Sequence, residues 1–293
     1  MEIKSVIVGL GDIGLRIAYR IKLQTGQAAL GLCRRPEKAA DYTHVVARQM
    51  DLDAAEVGAA DYTGKAVYYL APPPTTGDSD PRMAAWLRGI PLTGLPLKIV
   101  LISTTGVYGD CEGEWIDERQ PLNPQTDRAR RRVDAEQQLQ QWADPLGVEW
   151  LILRVAGIYG PWRLPLERLR QGMTILAEAD SGYSNRIHAD DLAAACVAAM
   201  YGGDNRQVIN ATDGHPSSMG DYFRQVAREY GLAAPAEVDW AQAQQQMSAE
   251  MLSYLRESKR IDNQRLLALP GFTLMYPDLK SGLHACRLAE GDY

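Results

Sequence analysis

The sequence has few of the residues that build disulfide-linked or metal-stapled folds. Among its 293 residues only 4 are cysteine and 4 are histidine. The cysteines stand far apart without a Cys-x-x-Cys pair, and the histidines show no metal-ligand spacing. A disulfide framework and a structural zinc site are therefore not expected. We predict reduced thiols, as in a cytosolic protein, and no metal.

Long apolar runs and an excess of basic charge are missing as well. The longest apolar run, at residues 192–200, is about half of a membrane span. The apolar stretch before Asp12 is too short for the core of a signal peptide. The formal net charge is −6, whereas binding to a phosphate backbone requires a basic face. These absences predict a cytoplasmic protein that binds neither membranes nor nucleic acid.

Short apolar runs alternate with amphipathic stretches in the first half of the chain. With 46% hydrophobic residues, a chain of this length buries its own core and is not disordered. The runs are nearly continuous, as strands covered on both faces require, and fall at residues 3–8, 28–33, 66–70, 97–103 and 150–155. Between the first two, Ile13, Ile17 and Ile21 indicate a helix with one buried stripe. This alternation predicts an α/β fold with a doubly wound parallel sheet of the Rossmann type.

A glycine motif joins the first apolar run to the first predicted helix. It reads GLGDIG, a Gly-x-Gly-x-x-Gly pattern. In this pattern the first glycine permits a tight turn, the second lets a pyrophosphate approach the backbone, and the third allows close helix–strand packing. The N–H groups at the helix start favour the anion, so this context indicates a dinucleotide site rather than a simple turn. Cofactor contacts are expected from Gly9, Gly11, Asp12, Ile13 and Gly14.

The end of the second apolar run distinguishes NADP from NAD. An NAD site usually places Asp or Glu there to bind the ribose 2′-hydroxyl, but this chain has Arg34 and Arg35. Guanidiniums bind a 2′-phosphate through charge-assisted hydrogen bonds, so we predict NADP, with NAD as the alternative. Two solvated arginines before a proline turn are the other interpretation. Further cofactor contacts are expected from Asp51 and Leu52, which otherwise form a plain turn, and from Leu70, Ala71 and Pro72.

The composition changes after residue 156. Residues 157–186 are punctuated by glycine and proline, and the end of the chain has a mainly helical pattern. We therefore predict a dinucleotide-binding domain at 1–155, completed by 187–210. Residues 156–186 and 211–293 are expected to form a smaller, mainly helical C-terminal part that holds the substrate.

Several segments resemble, in order and spacing, the short-chain dehydrogenase/reductase superfamily in its extended, epimerase/dehydratase-like branch. They are GLGDIG (9–14), ISTTGVYG (102–109), RVAGIYGPWR (154–163), RIHADDLA (186–193) and VINATDG (208–214). Two more, SKRIDNQRL (258–266) and YPDLKSGL (276–283), resemble an atypical, NAD(P)-binding subgroup. The resemblance spans nearly the whole chain. It implies an NAD(P)-dependent oxidoreductase or epimerase whose substrate is small, polar and anionic or nucleotide-linked.

The resemblance implies catalytic roles only where positions match. The catalytic Ser/Thr of the family falls on Thr104, for which a local cap at the strand end is the alternative. The Tyr-x-x-x-Lys pair falls on Arg128 and Arg132, so both catalytic residues are missing. Arginine cannot be deprotonated in a protein, and Arg128 is therefore no general base. We expect Arg128 to bind an anion and Arg132 to hold ribose hydroxyls, with a solvated or partner-binding face as the alternative.

The remaining candidates come from the same segments. Tyr108 is a weaker candidate for proton transfer, and Arg186 is expected to bind an anionic substrate group. His188 is expected to begin a helix that Asp190 or Asp191 caps, in a capping and core-bridging role, with acid/base work as the alternative. Since a fold does not guarantee a function, the missing Tyr/Lys pair leaves an inactive dinucleotide-binding sensor or regulator as the alternative. The acidic loop at 110–118 is expected to be a plain solvated loop, with gating of the cleft as the alternative. The sequence leaves a homo-oligomer open.

Overall fold

The computed structural model describes residues 4–54 and 60–291. Its strands are β1 (Ser5–Val8), β2 (Ala29–Cys33), β3 (Val45–Gln49), β4 (Ala66–Tyr69), β5 (Lys98–Thr104), β6 (Trp115–Ile116), β7 (Glu149–Val155), β8 (Gly157–Tyr159), β9 (Thr174–Leu176), β10 (Tyr183–Ser184), β11 (Arg186–His188), β12 (Gln207–Ala211), β13 (Ser217–Ser218), β14 (Ala236–Val238) and β15 (Arg260–Ile261). Its helices are α1 (Asp12–Thr25), α2 (Pro81–Arg88), α3 (Asp127–Leu146), α4 (Leu166–Arg170), α5 (Ala189–Gly202), α6 (Met219–Glu229), α7 (Trp240–Gln246), α8 (Ala249–Leu255), α9 (Gln264–Leu267) and α10 (Leu279–Glu290).

Seven strands form one parallel sheet in the order β12-β7-β5-β4-β1-β2-β3. Successive side chains of a strand point to opposite faces, and β5 shows this clearly. Val100 and Ile102 belong to the apolar cluster under α1 and α5. Ile99 and Leu101 belong to the cluster under α2 and α3. Both faces of the sheet are therefore covered, and the predicted doubly wound α/β fold is confirmed.

The predicted strands agree with the structure to within about two residues at each end, the usual uncertainty of such boundaries. Ile3, which opened the first predicted run, lies outside the described residues. The division of the chain into two domains at residue 155 stays an interpretation of the sequence.

The start of α5 corrects one expectation. His188 itself is the cap, because its Nδ1 accepts the N–H of Asp190 at 3.1 Å. Asp191 instead accepts the N–H groups of Met275 and Tyr276 at 2.7 and 3.0 Å. The prediction that Asp190 or Asp191 caps this helix was wrong, because a neutral imidazole also supplies an acceptor nitrogen.

The acidic loop at 110–118 pairs with a distant segment of the chain. It contains β6, which pairs in parallel with β15, Arg260 lying opposite Trp115. The carbonyl of Ser258 accepts the N–H groups of Cys111 and Gly113 at 3.1 and 2.9 Å. A segment distant in sequence thus supplies backbone partners to the loop, while Glu112, Glu114 and Trp115 are exposed to solvent.

The smaller part of the chain packs around α6 and α10. Phe223 and Val226 of α6 and Leu283 of α10 belong to one apolar cluster, which also contains Leu169 of α4. None of the helices in the described ranges is long and apolar enough to cross a bilayer.

Candidate functional site

A groove of about 540 Å³ opens at the carboxyl ends of β1, β2 and β4, beside the start of α1. Ligands of open α/β sheets bind in this position, because loops and helix N-termini converge there. Every residue predicted to contact a cofactor lines the groove: Gly9, Gly11, Asp12, Ile13, Gly14, Arg34, Arg35, Asp51, Leu52, Leu70, Ala71 and Pro72. Their role in binding stays a prediction, but the fold brings them all together.

The glycines of the loop meet three different geometric demands. Gly9 has φ +90°, and a Cβ there would lie 2.5 Å from the backbone nitrogen of Ala71. At Gly14 a Cβ would lie 3.1 Å from Cγ2 of Ile7, so the third glycine brings α1 close to β1. At Gly11 a Cβ would meet no atom within 4 Å. Gly11 therefore borders open space, as the predicted approach of a pyrophosphate to the backbone requires.

One end of the groove is cationic. Arg34, Arg35 and Lys38 are exposed and line it, and in the described part of the chain their side chains have no hydrogen-bond or ion-pair partner. Asp53 lies at the same end, but Arg82 binds its carboxylate through two hydrogen bonds of 2.6 and 2.5 Å. These hydrogen bonds hold the pKa of Asp53 below its usual range. The carboxylate of Asp53 is thus bound by Arg82 and also attracts Arg34, while Arg34, Arg35 and Lys38 form no hydrogen bond or ion pair within the described residues.

Lys38, Asp53, Arg82 and Arg163 line the groove but were not expected from the sequence. Lys38 follows Arg35 by three residues, and this short basic run was the available signal. Arg163 stands in a segment that carries the family resemblance, yet nothing in the sequence shows that this segment reaches the groove.

Thr104 ends β5 and starts a short 3₁₀ turn. Its Oγ1 accepts the N–H of Gly106 at 3.2 Å, which is the local capping role given above as the alternative. The hydroxyl proton has no acceptor among the residues that the structure describes. Thr104 therefore keeps a donor for a substrate oxygen, and this role stays a prediction.

Arg132 lies beneath the groove. Its Nη1 donates to the carbonyl of Ile102 at 3.2 Å and contacts that of Ala71 at 3.5 Å, and Ala71 is a lining residue. Burial lowers the pKa of the guanidinium, whereas the nearby Asp80 raises it. Arg132 itself does not line the groove, and its expected role in holding ribose hydroxyls stays a prediction.

Arg128 faces a different part of the molecule. Its Nη1 donates to Ser253 at 2.8 Å, and its guanidinium lies 3.7 Å from the centre of the Tyr254 ring. Neither partner on α8 lines the groove. Arg131, three residues further along the same helix, was not singled out from the sequence. It is more buried than Arg128 and donates to the carbonyl of Gly77. Arg128 thus has structural partners, and its anion-binding role stays a prediction.

Tyr108 belongs to a buried polar network. Its hydroxyl donates to Asn210 at 2.7 Å and accepts from Arg154 at 3.0 Å. Arg154 forms an ion pair with Glu136 at 2.9 Å, and Ser103 donates to the same carboxylate. Burial raises the pKa of Tyr108, and the residue does not line the groove. This geometry favours a packing role over proton transfer.

Arg186 is buried in the smaller part, outside the groove. It donates to the hydroxyls of Ser217 and Ser184 at 2.9 and 2.8 Å and to the carbonyl of Ser218 at 3.0 Å. The centre of the Tyr222 ring lies 4.7 Å from the Cζ atom of its guanidinium. No carboxylate of the described residues lies within ion-pair distance. Its direct partners are therefore neutral groups, with Asp213 and Asp221 acting on the charge from beyond ion-pair distance, and binding to a substrate anion stays a prediction.

The sheet order, the glycine turn at its carboxyl edge and the groove above it define the class of protein. This is an α/β dinucleotide-binding fold of the Rossmann type. Residues 82–211 match the model of the NAD dependent epimerase/dehydratase family. This match confirms the predicted resemblance to the epimerase/dehydratase-like branch of the short-chain dehydrogenase/reductase superfamily.

Similar proteins of known structure extend over nearly the whole chain. A conserved protein of unknown function from Silicibacter pomeroyi is 27% identical, with a TM-score of 0.80, and the match covers 98% of this chain and 99% of that one. A UDP-glucuronic acid 4-epimerase from Bacillus cereus, solved with NAD, is 16% identical, with a TM-score of 0.74 and 96% of each chain covered. At that identity the likeness shows the fold alone.

A curated relative from Methanocaldococcus jannaschii, provisionally named UDP-glucose 4-epimerase, is 23% identical over 154 residues. The match covers 48% of this chain and 50% of that protein, so it spans about half the length of the curated relative.

Proposed function

We propose that this protein binds NADP in preference to NAD and acts as an oxidoreductase or epimerase/dehydratase-like enzyme with an atypical reaction centre. The observation that carries the proposal is the groove, where the glycine loop and the predicted cofactor residues meet around one cavity. The family includes NAD-dependent enzymes, and a similar structure was solved with NAD. The preference for NADP goes beyond that likeness and rests on the cationic end of the groove.

Three features of that end support NADP. Arg34 and Arg35 stand where an NAD site usually carries a carboxylate. Lys38 adds a third cation on the same side of the groove. Unpaired cations bind a 2′-phosphate at little cost, because no existing contact must be broken.

The reaction centre is proposed from residues that the family resemblance singles out, none of which lines the groove itself. Arg132 replaces the family lysine at the ribose, and Thr104 offers a hydroxyl to the substrate. The similar proteins are named for nucleotide sugars, so a small anionic or nucleotide-linked substrate, met in the cytoplasm, fits the proposal. Arg128 and Arg186 are the candidate anion ligands. Turnover of nucleotide sugars, followed by NMR in the presence of NADPH or NADP, tests whether the protein is an enzyme or a sensor.

The cofactor preference is tested by titration with NADPH and NADH, followed by nicotinamide fluorescence. The double variant Arg34→Ala/Arg35→Ala should lower the NADPH/NADH affinity ratio by ~10–100-fold, since charge-assisted contacts to the phosphate are lost. The matched control, Arg88→Ala/Arg170→Ala, removes the same charge from exposed positions that do not line the groove. An unchanged ratio in the first variant would refute selection by these arginines. No binding of either nucleotide to the unmodified protein would refute the cofactor site itself.

A further inference from the structure

Arg163 is a cation of the groove that comes from outside the predicted dinucleotide-binding segments. It lies in the loop between β8 and α4, yet it lines the groove together with the glycine loop. Its Nη1 donates to Oδ2 of Asp12 at 2.9 Å. Asp12 is the first residue of α1, where the free N–H groups of a Rossmann helix face a pyrophosphate. The guanidinium is therefore held beside the expected pyrophosphate position.

The charges around Asp12 are balanced. Its other oxygen accepts from Nε of Arg16 at 2.9 Å, and Arg16 also donates to Asp190 at 2.6 Å. Two guanidiniums and two carboxylates thus offset one another, so Asp12 imposes little net repulsion on an incoming anion. This balance explains how an acidic residue is tolerated at the start of a helix that faces phosphate.

The side chain of Arg163 has donors to spare. In the described part of the chain its only side-chain hydrogen bond is the one to Asp12. The side chain is 34% exposed, and a guanidinium carries several N–H donors in a planar fork. The remaining donors suit two phosphate oxygens at once.

The loop that carries Arg163 is held in place by the end of the chain. Trp162 has φ +60°, and its N–H donates to the carboxylate of Glu290, which also accepts from the hydroxyl of Tyr230 at 2.7 Å. The N–H of Arg163 donates to the carbonyl of Gly160 at 3.1 Å. A fixed loop presents the guanidinium without an ordering cost on binding.

We propose that Arg163 binds the pyrophosphate of the dinucleotide, with Asp12 as the positioning residue that aims it. The inference rests on the proposed dinucleotide function and deepens it. It adds a cofactor ligand from the smaller part of the chain to those of the glycine loop, so that the bound dinucleotide contacts both parts.

The test compares two probes on the full chain. NADPH carries a pyrophosphate, whereas 2′-AMP shares its adenosine end and 2′-phosphate but has no pyrophosphate. Arg163→Ala should weaken NADPH binding by ~10-fold or more and change 2′-AMP binding less than about twofold, because only the pyrophosphate contact is lost. Arg163→Lys keeps the charge but not the planar fork, so its NADPH affinity should lie between those of the unmodified protein and Arg163→Ala. Arg170→Ala, exposed on the neighbouring α4, is the matched control and should bind both probes normally.

Two results would overturn the inference. NADPH binding that is unchanged in Arg163→Ala would show that the guanidinium does not touch the pyrophosphate. An equal loss for both probes would show a general disturbance of the groove. If the unmodified protein prefers NADH, then NADH and adenosine form the probe pair. If it binds no dinucleotide, the proposed function fails, and this inference fails with it.

Discussion

Arginines at the groove and arginines in the interior behind it differ in exposure and in their partners. At the groove, Arg34 and Arg35 are exposed and have no partner in the part of the chain that the structure describes. In the interior, Arg154 is 7% exposed in its side chain and forms hydrogen bonds with Glu136 and Tyr108. Burying an unpaired charge is expensive, and in this network the carboxylate of Glu136 compensates the buried cation. Cations that the fold leaves uncompensated at the rim of a cavity are available to a ligand.

The largest expected effect comes from breaking the compensation inside. Glu136→Ala leaves Arg154 buried without its carboxylate and should lower the free energy of unfolding by about 3–5 kcal/mol. Urea denaturation followed by circular dichroism measures the loss. Asp127→Ala is the control, since it breaks the exposed ion pair with Arg130 on the same helix and should cost below about 1 kcal/mol. Similar losses in the two variants would contradict the contrast between compensated and free charge.

A second effect concerns a buried group that the fold holds neutral. Burial lowers the pKa of His188 to about 4, and its Nδ1 accepts the cap hydrogen bond only when it is unprotonated. The unfolded chain takes up the proton first, near pH 6.5, so stability is lost as the pH falls from there toward 4. At pH 5 we expect a loss of about 2 kcal/mol relative to neutral pH.

The matched variant for this prediction is His188→Asn, which keeps a capping acceptor but does not titrate. The difference in unfolding free energy between about pH 7.5 and pH 5 should shrink by about 2 kcal/mol in the variant. Asp213, whose pKa burial raises to about 6, titrates in both proteins and cancels in the comparison. An identical pH dependence in both would show that His188 is not the responsible group.

The smallest expected change in stability comes from Arg128, which is half-buried and therefore intermediate between the exposed and the buried arginines. Arg128→Ala removes the contact with the Tyr254 ring and the hydrogen bond to Ser253, and should destabilise the protein by about 1 kcal/mol. A double-mutant cycle with Tyr254→Ala should give a coupling of about 0.5–1 kcal/mol. NADPH affinity should not change, because Arg128 lies outside the groove. A coupling near zero would remove the structural explanation, and a steep rise in KM for an anionic substrate would support the anion role.

The sequence predicted the groove well, because its elements are local. The glycine loop, the arginines after β2 and the residues after β4 each follow directly from a strand end. Parallel strands bring such ends to one edge of a sheet. Once the strands were recognised, their loops had to meet.

The partners of the side chains were not predictable in the same way. Arg163 meets Asp12 across 151 positions of sequence, and Tyr108 meets Asn210 across 102. The Arg128 position was found by resemblance, but its contact with Tyr254 depends on where α8 packs. No local pattern encodes these distances, because they follow from the packing of the smaller part on the sheet.

The sequence by itself therefore determined the class of fold and the place of the groove, because the motifs that define them are short runs of contiguous residues. Only the tertiary structure decided which charges are compensated and which are free. That distinction depends on burial and on partners distant in sequence. The partners of Tyr108 and Arg128 favour structural roles for both residues, and the packing of the chain places Arg163 at the groove.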